Sequence, residues 1–344
     1  PLWRGPGFNT ALRLPHEALD ATGAAPLPDV RYRAMACARQ LFVFSQAGER
    51  EAAHAHPLFE SLRHTFADRA RGGWFYSVDA GGAPLDTTKD LYTHAFVVFA
   101  CSAYGQRLGV PEALDTARET SALIVERFKA RDGLLNAALD ASFASVASGP
   151  LQNPLMHLTE AWLAAREATG DAAFDTAITG LVEALARHFL HTPTGCIAEL
   201  PLGAPDNRLE PGHQFEWFWL VKQAGAQRLG GSGLQEALAR GFAFAVKHGV
   251  DPATGGVAAA LDEQGRVSDA TQRIWAQTEY LRAIATHGDA VVRATLEAQT
   301  GKFARRFLTP QGWVECRSAS GEVARADMPS TTPYHLLTAY SALP

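Results

Sequence analysis

The chain of 344 residues has a hydrophobic fraction of 47%, which is enough to build a sizeable folded core. Its 31 Lys and Arg against 36 Asp and Glu give a net charge of −5, and no basic run is present that could neutralise a phosphate backbone, so we expect no nucleic-acid partner. No apolar stretch approaches the ~20 residues that a membrane span requires, so we expect no membrane insertion.

One pattern recurs along the whole chain: a hairpin marked by glycine, then an apolar helix, a short turn and a second helix. Successive markers are about 60 residues apart, which suits one helix pair with its connection. The six hairpins are PGFNTALRL at Gly7, GGWFYSVDAGG at Gly73, DGLLNAALD at Gly133, TGCIAELPLG at Gly195, GGVAAALDEQG at Gly256 and QGWVECRSASG at Gly312. The chain therefore consists of six repeats.

Within each repeat the first helix is the more apolar one. We predict such helices at 91–105, 153–171 and 213–230, among others. The second helices are amphipathic: at 113–133, apolar residues recur at spacings of three and four with charges between them. Each repeat thus pairs a buried helix with a half-exposed one.

Buried helices that alternate with half-exposed ones predict two concentric rings, and hence an all-α (α/α)6 barrel with short β-hairpin loops at one mouth. We expect residues 1–344 to form a single barrel domain. The sequence contains eleven such helices, the last at 333–343. The twelfth, an outer helix, is expected upstream of Pro1.

A polar residue stands near the start of each predicted inner helix. These residues are Arg39, His94, His157, His213, Arg273 and His335. Because they follow the repeat, a closed barrel would bring their side chains together at one mouth. Six polar side chains cannot all be core residues, since burying them without partners is costly, so we interpret them as a functional ring.

Neither a metal nor another cofactor is expected at this ring. The chain has no HExxH pair, and Arg39 and Arg273 would repel a cation. The four cysteines lie far apart and form no CxxC pair, so they indicate neither a zinc knuckle nor a disulfide framework. A reducing cytoplasm is the expected location.

Five segments carry a family resemblance: ARQLFVFS (38–45), NPLMHLTEAWLAAREATGD (153–171), EPGHQFEWFWL (210–220), RIWAQTEYL (273–281) and STTPYHLLTAY (330–340). In this order they resemble the N-acylglucosamine 2-epimerase superfamily, and the last segment is most similar to its mannose isomerase branch. The resemblance implies an (α/α)6 barrel and metal-independent isomerisation or epimerisation of sugars. It also implies that Arg39, His157, His213, Glu216, Arg273 and His335 are site residues, with His213 and His335 as the acid/base pair.

The chemistry explains why histidine suits this task. Aldose–ketose interconversion moves a proton between C2 and C1 through an enediol, and an imidazole gives and takes protons near neutral pH. His335 follows Thr332 and Pro333 in a first helical turn, where the helix dipole favours a neutral base. Glu216, three residues after His213, should orient that ring and favour its protonated form. We therefore assign His335 as the base and His213 with Glu216 as the acid.

The remaining candidates would bind the monosaccharide. Arg39 and Arg273 should hold hydroxyls and stabilise the enediolate, and His157 and His94 should bind hydroxyls. Further candidates for the pocket are Trp217, Trp219, Trp275, Tyr92, Phe42, Gln277 and Glu279.

The expected activity is isomerisation of D-mannose-type hexoses to D-fructose. Three alternatives remain: a sugar 2-epimerase of N-acylglucosamine or mannose/glucose type, a sulfoquinovose-type isomerase whose arginines bind an anionic group at C6, and a non-catalytic sugar-binding module. A glycoside hydrolase needs two facing carboxylates, whereas the ring supplies imidazoles. The sequence carries no signal for an oligomeric state.

Overall fold

The computed structural model describes residues 1–28, 30–229 and 232–344. The chain forms two compact units. The first contains Pro1–Leu19 and Ala24–Ala184, and the second contains Asp20–Gly23 and Leu185–Pro344. Both units consist mainly of α-helices joined by short antiparallel strands, so the helix-rich prediction is confirmed.

In the first unit, apolar helices alternate with amphipathic ones. The helices are α1 Ala34–Gln46, α2 Ala52–Ser61, α3 Leu91–Leu108, α4 Pro111–Arg127 and α5 Gln152–Thr169, and the division between the units falls within α6 Ala173–Phe189. Helix α3 packs between α1 and α5. It buries Phe96, Val97, Val98 and Phe99 in succession, so apolar contacts surround it. Helix α4 instead buries residues at spacings of three and four and leaves its other face exposed.

The predicted helix at 91–105 is confirmed and extends to Leu108. It begins where the Asp90 carboxylate accepts a hydrogen bond from the Thr93 backbone N–H at 2.7 Å. It ends at Gly109, which has a left-handed φ of 65°.

In the second unit, α10 packs between α7 and α13. The helices are α7 Pro211–Ala224, α8 Ala226–Leu229, α9 Leu234–Gly249, α10 Ile274–Ala285, α11 Ala290–Arg293, α12 Leu296–Phe307 and α13 Thr332–Ala342. The helix predicted at 213–230 is interrupted, because Gly225 has a φ of 72° and a ψ of 158°, outside the helical region. Its predicted last residue, Gly230, lies outside the described residues.

The strands are two or three residues long, and the pairs described here are antiparallel. In the first unit, Phe8–Asn9 pairs with Leu14–Pro15, Arg31–Arg33 with Ser77–Asp79, Ser77–Asp79 with Pro84–Asp86, Lys89–Asp90 with Ala138–Leu139, and Ala138–Leu139 with Val146–Ser148. In the second unit, Leu190–His191 pairs with Cys196–Ile197, Ala260–Leu261 with Val267–Asp269, Gln272–Arg273 with Cys316–Arg317, Cys316–Arg317 with Val323–Arg325, and Leu308–Thr309 with Gly312–Trp313. Ala18–Leu19 and Met328–Pro329 are also strands.

The core of the second unit lies between α7, α9 and α10, where Phe215, Phe218, Phe242, Val257 and Tyr280 form one buried cluster. Tight contact also requires glycine at a hairpin: Gly195 has a φ of 77°, and a Cβ there would lie 2.2 Å from the Ala237 carbonyl oxygen of α9. Among the helices described, none is both long and apolar enough to cross a membrane.

Candidate active site

His213 lies at the start of α7 with carboxylates around its ring. It is the third residue of the helix, after Pro211 at the first position, and only 6% of its surface is exposed. Its Nδ1 is 2.7 Å from Oε1 of Glu199 and 3.6 Å from Oε2 of Glu210. Glu199 comes from the connection after the Gly195 hairpin, and Glu210 immediately precedes α7. Nδ1 of His213 is therefore the nitrogen that Glu199 holds.

The carboxylates determine the charge of this imidazole. Burial opposes protonation, but the negative charges of Glu199, Glu210 and Glu216 outweigh it and raise the pKa of His213 to about 9. At neutral pH the ring is therefore an imidazolium that can donate a proton.

Glu216 was expected to orient the His213 ring and to favour its protonated form. This carboxylate is fully buried and adds to the negative potential at His213, but Glu199 is the residue that hydrogen-bonds the ring. Helical spacing indicates only neighbours on the same helix. Glu199 stands fourteen residues before His213, on a connection whose path the sequence pattern does not give.

His335 makes a similar contact through α10. It is 6% exposed, and its Nδ1 is 2.9 Å from Oε1 of the fully buried Glu279. The other carboxylate oxygen of Glu279 accepts a hydrogen bond from Arg282 at 3.2 Å. The guanidinium of Arg282 lies 3.4 Å from the ring centroid of Trp219. The sequence indicated only the helix dipole as an influence on His335, whereas the structure adds the Glu279 carboxylate.

Trp275 contacts both histidines. Its ring centroid is 4.9 Å from that of His213 and 5.8 Å from that of His335. Helices α7, α10 and α13 thus bring the two predicted acid/base residues to one tryptophan within the second unit. Trp275 is only partly buried, as a residue lining a pocket would be.

Three other predicted residues of the second unit have different surroundings. Arg273 directly precedes α10, and its side chain is exposed. Trp217 has no exposed surface, so it is a core residue. Gln277 holds the Gly256 hairpin: its amide oxygen accepts from the Val257 backbone N–H at 2.9 Å, and its amide nitrogen donates to the Val257 carbonyl at 3.1 Å.

His94 performs the same hairpin task in the first unit. Its Nε2 accepts from the Trp74 backbone N–H at 3.1 Å, and its Nδ1 is 2.7 Å from the Asp90 carbonyl oxygen. Burial lowers the pKa of His94 to about 3, so the ring is neutral. Gln214 makes equivalent bonds to Ile197 and to the Glu210 carbonyl. Both ring nitrogens of His94 therefore serve the fold rather than a sugar hydroxyl.

The six predicted ring residues also stand at different positions from the starts of their helices. Arg273 precedes its helix, His213 is third in α7, and His94 and His335 are fourth in α3 and α13. Arg39 and His157 are sixth in α1 and α5. Each step along a helix turns a side chain by about 100°. Equal spacing in the sequence therefore does not give equal direction.

In the first unit, Arg39 and His157 both contact Tyr92. Arg39 donates to the Tyr92 hydroxyl at 2.6 Å and lies 4.2 Å from the Phe96 ring centroid. The His157 ring meets Tyr92 edge-on at 4.9 Å, and its Nδ1 is 3.3 Å from Oε2 of Glu160. These buried polar groups form a second candidate cluster.

Phe42, also predicted for the pocket, packs on Phe99 at 4.6 Å and is 8% exposed.

Glu199, Glu210 and His213 are also grouped closely enough to hold a metal ion, since their donor atoms lie within 4.8 Å of one another. Without a metal, the pKa of about 9 keeps His213 protonated at neutral pH, so a metal ion would have to displace that proton in order to bind the nitrogen.

Comparison with known proteins agrees with the resemblance seen in the sequence. The pattern of the N-acylglucosamine 2-epimerase (GlcNAc 2-epimerase) family matches residues 16–339. Mannose-6-phosphate isomerase of Rhizobium meliloti (strain 1021) is 30% identical over 98% of this chain and 92% of its own. D-mannose isomerase of Thermobifida fusca is 33% identical over 44% of this chain and 38% of its own. A crystal structure of D-mannose isomerase matches 99% of this chain and 94% of its own with a TM-score of 0.87, and at 20% identity this likeness shows the fold alone.

Proposed function

The chain belongs to the N-acylglucosamine 2-epimerase family of sugar isomerases and epimerases, and we propose that it interconverts a D-mannose-type hexose and the D-fructose-type ketose without a metal. The observation that carries this proposal is the pair of carboxylate-bound histidines on Trp275. Two imidazoles with different electrostatic surroundings supply the acid and the base that an enediol mechanism requires.

In the proposed reaction, His335 is the base. Its Nδ1 is held by Glu279, which orients the imidazole, and the ring takes the proton from C2 and returns it to C1. His213 is the acid: as an imidazolium it protonates the ring oxygen when the sugar opens, and it takes the proton of the C1 hydroxyl, which restores the imidazolium. It then gives a proton to O1 as the enediol forms and takes one from O2 as the ketose forms.

Substrate binding is assigned to Arg39, His157 and Arg273. Arg39 and His157 belong to the first unit and Arg273 to the second. The fold likeness to D-mannose isomerase supports the (α/α)6 barrel expected from the sequence, which stays a proposal. His94, Trp217 and Gln277 are left out, since the structure gives them packing and hairpin contacts.

A 2-epimerase is the second candidate. Trp275 contacts both histidines, and an epimerase needs two groups that flank C2 so that the proton returns on the opposite face. A glycoside hydrolase receives less support, because Glu199 and Glu279 are engaged with imidazoles instead of standing free as an acid and a nucleophile.

The test is incubation with sugar in deuterated water with EDTA present. D-mannose and mannose 6-phosphate should be tried in parallel, since one relative carries the latter name. Formation of the ketose with deuterium at C1 supports the isomerase, whereas an aldose inverted and deuterated at C2 indicates the epimerase. Release of sugar from a disaccharide, or loss of activity in EDTA, would contradict the proposal.

Two variants connect the activity to the site. His335→Asn should lower turnover by about 10²–10⁴-fold while sugar binding persists. His64→Asn is the matched control, because His64 is 60% exposed and should keep full activity.

A further inference from the structure

Arg282 is a buried cation that the proposed mechanism does not use. It is only 3% exposed, and it lies one turn after Glu279 on α10. Burying a guanidinium costs free energy unless the charge is paired and well packed. Here the charge is satisfied by Glu279 at 3.2 Å and by the face of Trp219 at 3.4 Å.

The two carboxylate oxygens of Glu279 contact different side chains. Oε1 faces Nδ1 of His335 at 2.9 Å, and Oε2 accepts from Arg282. A carboxylate already paired with a guanidinium attracts a proton on the imidazole less strongly, because the positive charge offsets part of its field.

The surroundings of the other histidine differ. Three carboxylates act on His213, and together they raise its pKa to about 9. Arg208, whose side chain is 47% exposed, pairs with Glu210 at 2.8 Å. The carboxylate that contacts His335 is itself bound to the buried Arg282.

We propose that Arg282, backed by Trp219, is a positioning residue that fixes Glu279 and weakens its hold on the His335 proton, so that His335 serves as the base. This inference rests on the proposed function, since it explains how two carboxylate-bound histidines divide into an acid and a base. Arg282 acts through Glu279 and is not placed in contact with the sugar.

Other charged or titratable groups of the second unit lie on elements that adjoin α10 or α13. His213 lies beyond Trp275, and Arg273 is exposed at the start of α10. Glu315 accepts a hydrogen bond from Thr332, the first residue of α13, at 2.8 Å. These groups stay in place when Arg282 is replaced, so a difference between variants reports on Arg282.

The test is a titration of the His335 ring by nuclear magnetic resonance with ¹³C-labelled histidine, its signal identified by its loss in His335→Asn. In Arg282→Gln, a neutral side chain that can still donate to Glu279, the midpoint should rise by about one pH unit, a tenfold stronger hold on the proton. Arg282→Lys keeps the charge and should restore most of the wild-type midpoint. Arg282→Met is a second neutral variant in case the glutamine variant does not fold.

The pH profile of kcat/KM gives an independent readout. The base acts unprotonated, so kcat/KM falls at low pH, where the base gains a proton. In the neutral variants this fall should begin about one pH unit higher, while kcat/KM at high pH should change less. Arg118→Gln, which removes an exposed arginine paired with Asp115, is the control and should change neither measurement.

Equal midpoints in wild type and a folded neutral variant would overturn the inference, as would a lysine variant that shifts as far as the neutral ones. Purely structural damage would lower activity at every pH without moving the midpoint. If the wild-type protein isomerises no sugar, the proposed function fails, yet the titration still decides the role of Arg282.

Discussion

Replacing Glu199 by Gln tests the proposed acid most directly. The substitution keeps the shape of the side chain and removes the negative charge 2.7 Å from Nδ1 of His213. Both groups are almost fully buried, so water screens their interaction little. His213 should then lose its proton at a lower pH.

The size of the effect follows from that contact. A buried hydrogen bond between charged partners contributes about 1.5–3 kcal/mol, and one pH unit corresponds to about 1.4 kcal/mol. The pKa of His213 should therefore fall from about 9 by one to two units. Glu210 and Glu216 still act on the ring, so it should not fall further.

The assay is the pH profile of kcat/KM on the sugar that the wild type converts. Loss of the proton from the acid causes the fall at high pH, so this basic limb should move down with the pKa. Activity should drop about tenfold at pH 9 and change less than about twofold at pH 6.5. Glu236→Gln, an exposed change on α9, is the control. A folded Glu199→Gln enzyme whose basic limb stays at the wild-type pH would refute the reasoning.

Three further predictions concern stability. The folded pKa of His213 exceeds its unfolded value of 6.5, so its stabilisation is complete below pH 6.5 and is lost as the pH rises through 9; wild type should lose about 3 kcal/mol relative to His213→Gln across that range in urea unfolding. His94→Gln should unfold within about 1 kcal/mol of wild type, because an amide forms the same hairpin bonds at Gln214, whereas His94→Ala should cost about 2 kcal/mol. Gly195→Ala should lower the thermal midpoint by several degrees, since its Cβ would meet the Ala237 carbonyl and its φ is positive.

Each of these predictions has an opposing result. Parallel pH curves for wild type and His213→Gln would show that the carboxylates do not hold the proton in the folded state. A folded His94→Gln enzyme with a much higher KM would return His94 to the sugar site. An unchanged midpoint for Gly195→Ala would show that the hairpin can move away from α9.

Several features were determined by the sequence itself. The glycine-marked repeat predicted alternating apolar and amphipathic helices, and the structure confirms α3, α5 and α13 within three residues. Helix α4 is also present, but it ends at Arg127, six residues before the predicted end at 133. Periodic burial is a local property of a helix, so the order of apolar and polar residues along the sequence reveals it. The same repeat singled out His213 and His335, while Trp275 was one of several aromatic candidates for the pocket.

The partners of those histidines were decided only by the tertiary structure. Glu199 reaches His213 from a connection, and Glu279 reaches His335 from a helix 56 residues earlier, so no spacing on one helix could reveal either contact. The repeat also placed His94 in the site, and Gln277 was a further pocket candidate, although both side chains hold hairpins. A shift of one residue turns a side chain by about 100° on its helix, which a period of about 60 residues does not resolve. The sequence thus determined which residues could exchange protons, while packing decided which carboxylate holds each one.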